Sequence, residues 1–453
     1  MKRTAENYLE RWIMGARRKP LILRGARQVG KSTLVRNFCK SQQKILVEIN
    51  FERFKEKIFD GFDTRKILQE FSAYTGKKIE YSQCLLFLDE IQEEPKAIEA
   101  LRYFYEQCPD LPVIAAGSLL EFALKSGDLT MPVGRVEYFF LGPMTLSEFL
   151  VATGNEKLWD SVCHPKATIT QVAHRQLLDK FKEFLFVGGM PEAVLSFKEE
   201  GISAVPSVHR SIVLTYQDDF PKYSKRFSVD HIGRAFEYCA LNVGSKIVYN
   251  KALADVDTRT MKKAMDLLFK AKIIMPAYHS PGHLVPISGH RIEKIFKTYF
   301  LDVGLANSIR KIRWKHISSL DNSKLPTLGF MVEQFVAQHL FYQDEGIEEP
   351  HLEYWLREGK MRNAEVDFLI EKDLQAIPIE VKAKKSGALR SLHQFVYEKE
   401  TTSAIRLNLN LPIEETISTD ISTAIGLQKV EYNLNSLPAY LIETLLATEG
   451  KET

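Results

Sequence analysis

The chain has 453 residues, which suggests about three domains at roughly 150 residues each. Lys plus Arg is 61 against 58 Asp plus Glu, and the net charge of +3 comes with 45% hydrophobic and 26% charged residues. These figures exclude a disordered tail protein, a collagen, a coiled-coil rod and a histone-like polycation, so any basic surface must be local. Cys39, Cys84, Cys108, Cys163 and Cys239 form no CxxC pair, which argues for a reducing compartment and against a disulfide framework or a zinc site. The start MKRTAENYLERW lacks an apolar signal segment, and no run approaches the roughly 18 apolar residues of a membrane span. The cytoplasm is the expected location, with no membrane contact.

Residues 1–150 alternate apolar strand-like runs with helical patterns. Strands are predicted at Leu21–Leu23, Ile45–Ile49, Cys84–Leu88, Val113–Ala116 and Val136–Leu141, with a helix at Ser32–Lys40. Such alternation predicts an α/β domain with a helix-covered parallel sheet. Residues 151–228 read as a helical domain interrupted by a tight turn, Gly188-Gly189-Met190-Pro191. Residues 229–312 read as three helices, the third at Thr258–Ala271, then a two-stranded wing, Ile273–Tyr278 and Leu284–Ser288. A polar linker at 311–327 leads into a C-terminal α/β domain, 328–453. There a helix is predicted at Phe330–Phe341 and strands at His351–Leu356, Glu365–Ile370 and Ala376–Val381.

The run Gly25-Ala26-Arg27-Gln28-Val29-Gly30-Lys31-Ser32 fits GxxxxGK(S/T), between a predicted strand and a predicted helix. Its glycines let successive backbone N–H groups turn in around a phosphate, and the helix start adds a positive end. Residues 25–33, ending at Thr33, are thus expected to bind ATP. Lys31 would bridge the β- and γ-phosphates, and Ser32 would ligate Mg²⁺. The apolar strand Cys84–Leu88 delivers Asp89 and Glu90 to the same sheet edge. Asp89 would hold Mg²⁺ directly or through water, and Glu90 would polarise the attacking water. Ser118, after the fourth strand, would sense the γ-phosphate or simply cap a helix. Arg135 would stabilise transition-state charge, in cis or in a neighbouring subunit of an oligomer, or be a surface arginine.

The chain resembles the AAA-type ATPases of bacteria and archaea that carry a C-terminal domain of unknown function. The resemblance rests on LILRGARQVGKSTL, LLFLDEIQ, GRVEYFFLGPMTLSEFL, FLFVGGMPEAV, KTYFLDVGL, GFMVEQFVAQHL, EYWLREGKMRNAEVDFLI and IPIEVKAKKSG. It implies an ATPase of the ASCE type with Glu90 as the catalytic acidic residue. It also implies a GxP turn near the adenine, placing Pro191 beside the base.

Residues 229–300 hold 11 Lys/Arg against 6 Asp/Glu, an excess of +5 in a chain of +3. The third helix carries Arg259, Lys262, Lys263 and Lys270, with Lys272 just beyond, and resembles the recognition helix of a winged-helix module. Such a face would neutralise DNA phosphates, or be a solvated structural surface. In the last domain, Glu333, Asp367, Glu380 and Lys382 look like the PD-(D/E)xK arrangement of restriction-endonuclease-like folds. Glu333, Asp367 and Glu380 would hold Mg²⁺ or Mn²⁺, since a hard ion wants oxygen ligands, and Lys382 would orient the water. Glu365 shares a face with Asp367 and could substitute in the ligand set. The expectation is a Mg²⁺-dependent ATPase coupled to a winged-helix and nuclease-like region that acts on or binds DNA. The alternative is a nucleotide-driven switch whose inactive nuclease-like domain binds protein partners.

Overall fold

A computed structural model describes the chain apart from residues 125–130, 165–167, 224–226, 250–255, 284, 320–328, 343–345, 359–362, 383–388, 424–425 and 447–453. The N-terminal sheet is built from β1 (Leu21–Arg24), β2 (Ile45–Asn50), β3 (Cys84–Asp89), β4 (Val113–Ala116) and β5 (Glu137–Phe140). All its pairings are parallel, in the order β2-β3-β4-β1-β5. β3 is buried throughout because helices cover both faces. Its alternate residues enter separate cores. Leu86 and Leu88 pack with the helices Thr64–Thr75 and Pro95–Gln107, while Leu85 and Phe87 pack with Lys31–Ser41. The predicted strands lie within a residue or so of these bounds.

The helices Gln171–Val187, Pro191–Glu200 and Val205–Tyr223 follow. Thr170 caps the first by accepting from the Ala173 amide, and Pro191 opens the second at a position where its missing N–H costs nothing. The helices Val229–Leu241 and Thr258–Lys270 come next. The predicted wing is only half right. β6 (Ile274–His279) forms, but its antiparallel partner is β7 (Ile292–Phe300). Leu284 lies outside the described residues, and Ile287–His290 is a 3₁₀ turn. Pro286 offers no ladder N–H and Gly289 has no side chain to pack, so this stretch makes a poor strand.

β6 and β7 do not stand apart as a wing. They form one end of an eight-stranded mixed sheet, ordered β12-β13-β11-β10-β9-β8-β6-β7. The remaining strands are β8 (Leu352–Arg357), β9 (Ala364–Lys372), β10 (Gln375–Val381), β11 (Ser403–Asn408), β12 (Ile413–Thr423) and β13 (Gly426–Pro438). β6 runs parallel to β8, with Ala277 opposite Leu352. The sheet therefore crosses the boundary that the sequence places after residue 312. The polar stretch 311–327 contains a short helix, Trp314–Ser318, whose Trp314 ring packs 5.6 Å from Phe186; residues 320–327 lie outside the described set. No described helix is long and apolar enough to cross a membrane.

Candidate nucleotide site and carboxylate cluster

The phosphate loop joins the C-terminal end of β1 to the helix Lys31–Ser41. Gly25 has φ 143°, and a Cβ there would lie 2.2 Å from the Leu141 carbonyl, so no other residue fits. Lys31 Nζ donates to the Gly25 and Ala26 carbonyls at 2.9 and 2.7 Å. Burial lowers its pKa to about 8, opposed by the charges of Glu90 and Asp89. Ser32 Oγ lies 3.1 Å from both carboxylate oxygens of Asp89. Burial, then the charge of Glu90, raises the Asp89 pKa. Thr33 is exposed on the loop helix.

Glu90 follows β3 in the left-handed region, with φ 51°. Its Oε2 accepts from Gln92 Nε2 at 2.7 Å and lies 3.3 Å from Ser118 Oγ. Lys31, Ser32, Asp89, Glu90 and Ser118 thus gather at the C-terminal edge of one parallel sheet, where α/β folds bind ligands. Ser32 and Asp89 are adjacent hard oxygen donors and fit a Mg²⁺ ion. Asn50 Nδ2, at the end of β2, reaches Asp89 Oδ2 at 3.4 Å. Sequence reading overlooks it, although it ends an apolar strand just as Asp89 does.

Arg135 stands as the surface arginine that was one of its readings. It precedes β5, and β5 runs parallel to β1 with Leu21 opposite Glu137. Arg135 therefore lies at the N-terminal edge of the sheet, a strand's length from the phosphate loop. There it is exposed and pairs with Glu106 at 3.1 Å. A role in cis is ruled out by that placement.

Pro191 lies against the loop, its Cγ 3.4 Å from where a Gly30 Cβ would sit. The turn before it is pinned from two sides. The Met144 amide donates to the Gly189 carbonyl at 2.6 Å, and the Gly189 amide donates to Asp302 Oδ2 at 2.6 Å. A Cβ on Gly189 would lie 2.0 Å from the Met144 carbonyl. Asp302 is fully buried and also accepts from the Leu305 amide at 3.0 Å and Gln338 Nε2 at 3.3 Å. Gln338 belongs to the helix Gly329–Phe341, where Gln334 pairs with both backbone groups of Phe300 at 2.8 and 2.6 Å. Arg3 makes a further bond that the sequence does not announce. It donates to the Val29 carbonyl at 3.0 Å and to Glu148 at 2.8 Å.

On the third helix Arg259, Lys262 and Lys263 are exposed, opposite the buried Met261, Met265 and Leu268. Lys270 and Lys272 are half-buried, and Lys272 pairs with Glu349 at 3.2 Å.

In the C-terminal sheet the expected residues meet. The Val381 amide donates to Asp367 Oδ2 at 2.8 Å, and Lys382 Nζ lies 2.6 Å from Glu380 Oε1. Glu380 Oε2 is buried without a hydrogen-bond partner among the described residues. Tyr299 donates to Glu333 at 2.6 Å. The unforeseen member is Lys297 of β7, which is 1% exposed. Its ammonium touches Glu365 and lies 3.8 Å from Glu333 and 3.9 Å from Asp367. The position expected to hold a divalent ion thus receives an ammonium group. Among the described residues no cluster of three or more His, Cys, Asp or Glu is arranged to hold a metal. Burial, then the charge of Asp367, raises Glu380 to about 8, and burial raises Glu333 to about 7.

Comparison with known families gives three matches. Residues 17–150 match the AAA domain, 178–316 a domain of unknown function (DUF8612), and 328–429 another (DUF4143). No curated protein matches the chain. Among solved structures, the Thermotoga maritima RuvB Holliday junction branch migration motor is 16% identical, covers 64% of this chain and 90% of its own, and has a TM-score of 0.29. A DNA replication initiation factor is 14% identical over 59% of this chain and 86% of its own, with a TM-score of 0.24. C. elegans PCH-2 is 12% identical over 44% of this chain and 60% of its own, with a TM-score of 0.25. Residues 17–150, with their parallel sheet and phosphate loop, are thus similar to an AAA domain.

Proposed function

We propose that the chain is a Mg²⁺-dependent ATPase whose nucleotide state is read by the domains that follow, and that it acts on DNA. The observation that carries the reading is the convergence of Lys31, Ser32, Asp89, Glu90 and Ser118 at one sheet edge. Bound Mg²⁺ would offset charge on the β- and γ-phosphates, held by Ser32 and Asp89. Lys31 binds the phosphates, Glu90 takes a proton from the attacking water, and Ser118 orients Glu90 through the 3.3 Å contact. Pro191, against the loop, is suited to flank the base. Exposed Arg259, Lys262 and Lys263 supply the DNA contact.

The test is ATP binding and turnover, with and without DNA. Lys31→Ala should lose binding, and Glu90→Gln should bind ATP without turning it over. Unchanged hydrolysis in Glu90→Gln would sink the assignment.

A second activity, Mg²⁺- or Mn²⁺-dependent cleavage of nucleic acid, is favoured by one observation. Glu380 Oε2 is a buried oxygen beside Asp367 and Lys382 with no hydrogen-bond partner among the described residues. Lys297 weighs the other way, toward a scaffold that binds partners without cleaving them. Cleavage of DNA with Mn²⁺ by the wild type and not by Asp367→Ala supports the nuclease; intact DNA and RNA with both proteins eliminates it.

A further inference from the structure

Arg27 occupies the third position of the phosphate loop, and its surroundings suggest more than a filler residue. Its guanidinium pairs with Asp219 on the helix Val205–Tyr223, 192 residues away. It also lies 3.8 Å from Glu52, just beyond β2. The Glu52 amide donates to Asn50 Oδ1 at 2.9 Å, and Asn50 touches Asp89. Arg27 therefore sits at the Asp89–Glu90 end of the loop, where the γ-phosphate of a bound triphosphate would project.

We propose that Arg27 is the guanidinium that meets the γ-phosphate, and that Asp219 holds it until ATP arrives. The proposal rests on the ATPase reading above and takes up the role that Arg135 cannot fill in cis.

Three features make the exchange physically reasonable. First, the Arg27 backbone is anchored independently of its side chain: Tyr216 Oη donates to the Arg27 carbonyl at 2.7 Å. The side chain can swing while the loop keeps its shape. Second, the guanidinium is 27% exposed whereas the Asp219 side chain is 5% exposed. The mobile partner is thus the one already in contact with solvent. Third, Lys222 Nζ lies 3.1 Å from Asp219. When Arg27 leaves, the buried carboxylate keeps a countercharge, so the large cost of an unpaired buried ion is avoided. A planar guanidinium also suits the three equatorial oxygens of a transferring phosphoryl group better than a second ammonium would.

In the reaction, the water oxygen forms a bond to the γ-phosphorus as the bond from phosphorus to the β–γ bridging oxygen breaks. The bridging oxygen keeps the electron pair and leaves with ADP. The water proton passes to the Glu90 carboxylate and then to solvent. Arg27 gives up no proton; it offsets charge on the γ-oxygens. The same movement reports the nucleotide, because it releases the Asp219 tie between the loop and the helix Val205–Tyr223, which Tyr216 still holds to the Arg27 carbonyl.

The experiment compares ATP turnover and the binding of ADP and ATPγS in the full-length wild type, Lys31→Ala, Arg27→Ala, Arg27→Lys, Asp219→Asn and the double variant Arg27→Ala/Asp219→Asn. The double variant removes both charges of the pair, so it answers any loss of folding in Arg27→Ala. Arg27→Ala and the double variant should turn over ATP about 100-fold more slowly or worse. Their ADP affinity should stay within about threefold of wild type, and their preference for ATPγS over ADP should vanish. Arg27→Lys should recover less than about a tenth of the lost rate, for want of the fork geometry. Asp219→Asn should bind ATPγS more tightly and turn over ATP at least as fast as wild type. Wild-type turnover in Arg27→Ala, or an equal loss in Asp219→Asn, overturns the proposal and leaves a structural ion pair. If wild type does not hydrolyse ATP and Lys31→Ala binds nucleotide normally, the ATPase reading falls and takes the proposal with it.

Discussion

Replacing Asp302 with Asn preserves the side-chain shape and removes its charge. In the wild type, burial raises this carboxyl from 3.8 to about 6, although the Gly189, Leu305 and Gln338 donors all favour its ionised form. The folded pKa lies above the unfolded value, so the folded state holds the proton more tightly. The stabilisation from this group is therefore full below about 3.8 and is lost as pH rises through about 6. From about pH 5 to about pH 8 the loss is about 1.4 kcal/mol. For a cooperative unit of 150–250 residues that is roughly 3–6 °C in melting temperature. Asp302→Asn does not titrate. At pH 5 it should be destabilised by about 1–3 kcal/mol, because one carboxamide N–H must face a backbone donor. By pH 8 it should have recovered roughly 3–6 °C relative to wild type. Thermal melts of both proteins at the two pH values measure this. A wild-type-minus-variant difference that stays constant within about 1 °C refutes the reasoning.

Gly25→Ala should abolish nucleotide binding and destabilise the N-terminal domain by about 3 kcal/mol or more, measured by calorimetry and urea unfolding, because the added Cβ meets the Leu141 carbonyl at 2.2 Å. Lys297→Met should cost about 3–5 kcal/mol by leaving Glu333, Glu365 and Asp367 without their buried cation; amide exchange in β9 should accelerate accordingly. Charge reversal at Lys262 and Lys263 should leave the melting temperature unchanged while weakening DNA binding. Its logarithmic salt slope should fall by about 2, roughly one for each DNA phosphate no longer neutralised.

The N-terminal sheet was legible because its strands are short apolar runs buried on both faces, and its site because the loop motif fixes the spacing of the residues involved. β8, β9 and β10 were legible for the same reason. β12 was not foreseen: most of its residues are exposed, and its alternating polar sequence looks like a loop. Lys297 escaped notice because a lysine in an apolar strand usually faces water, and no local pattern says that three carboxylates from other elements will surround it. The readings of Arg135 stayed open because sequence order does not reveal which edge of a sheet a residue occupies. Asp219 and Asp302 lie far along the chain from the loop and turn they hold, so no short window contains both partners.

The eight-stranded sheet takes β6 and β7 from one matched family region and β8 to β13 from beyond it. The two regions end and begin at 316 and 328, a boundary that the sheet ignores. A fragment cut there would keep β6 but lose β8, baring the backbone donors and acceptors that now pair Ala277 with Leu352 and His279 with Tyr354. Such a raw edge invites pairing with any passing strand, so the fragment should self-associate. What reads as three consecutive modules should therefore unfold with its last two parts together.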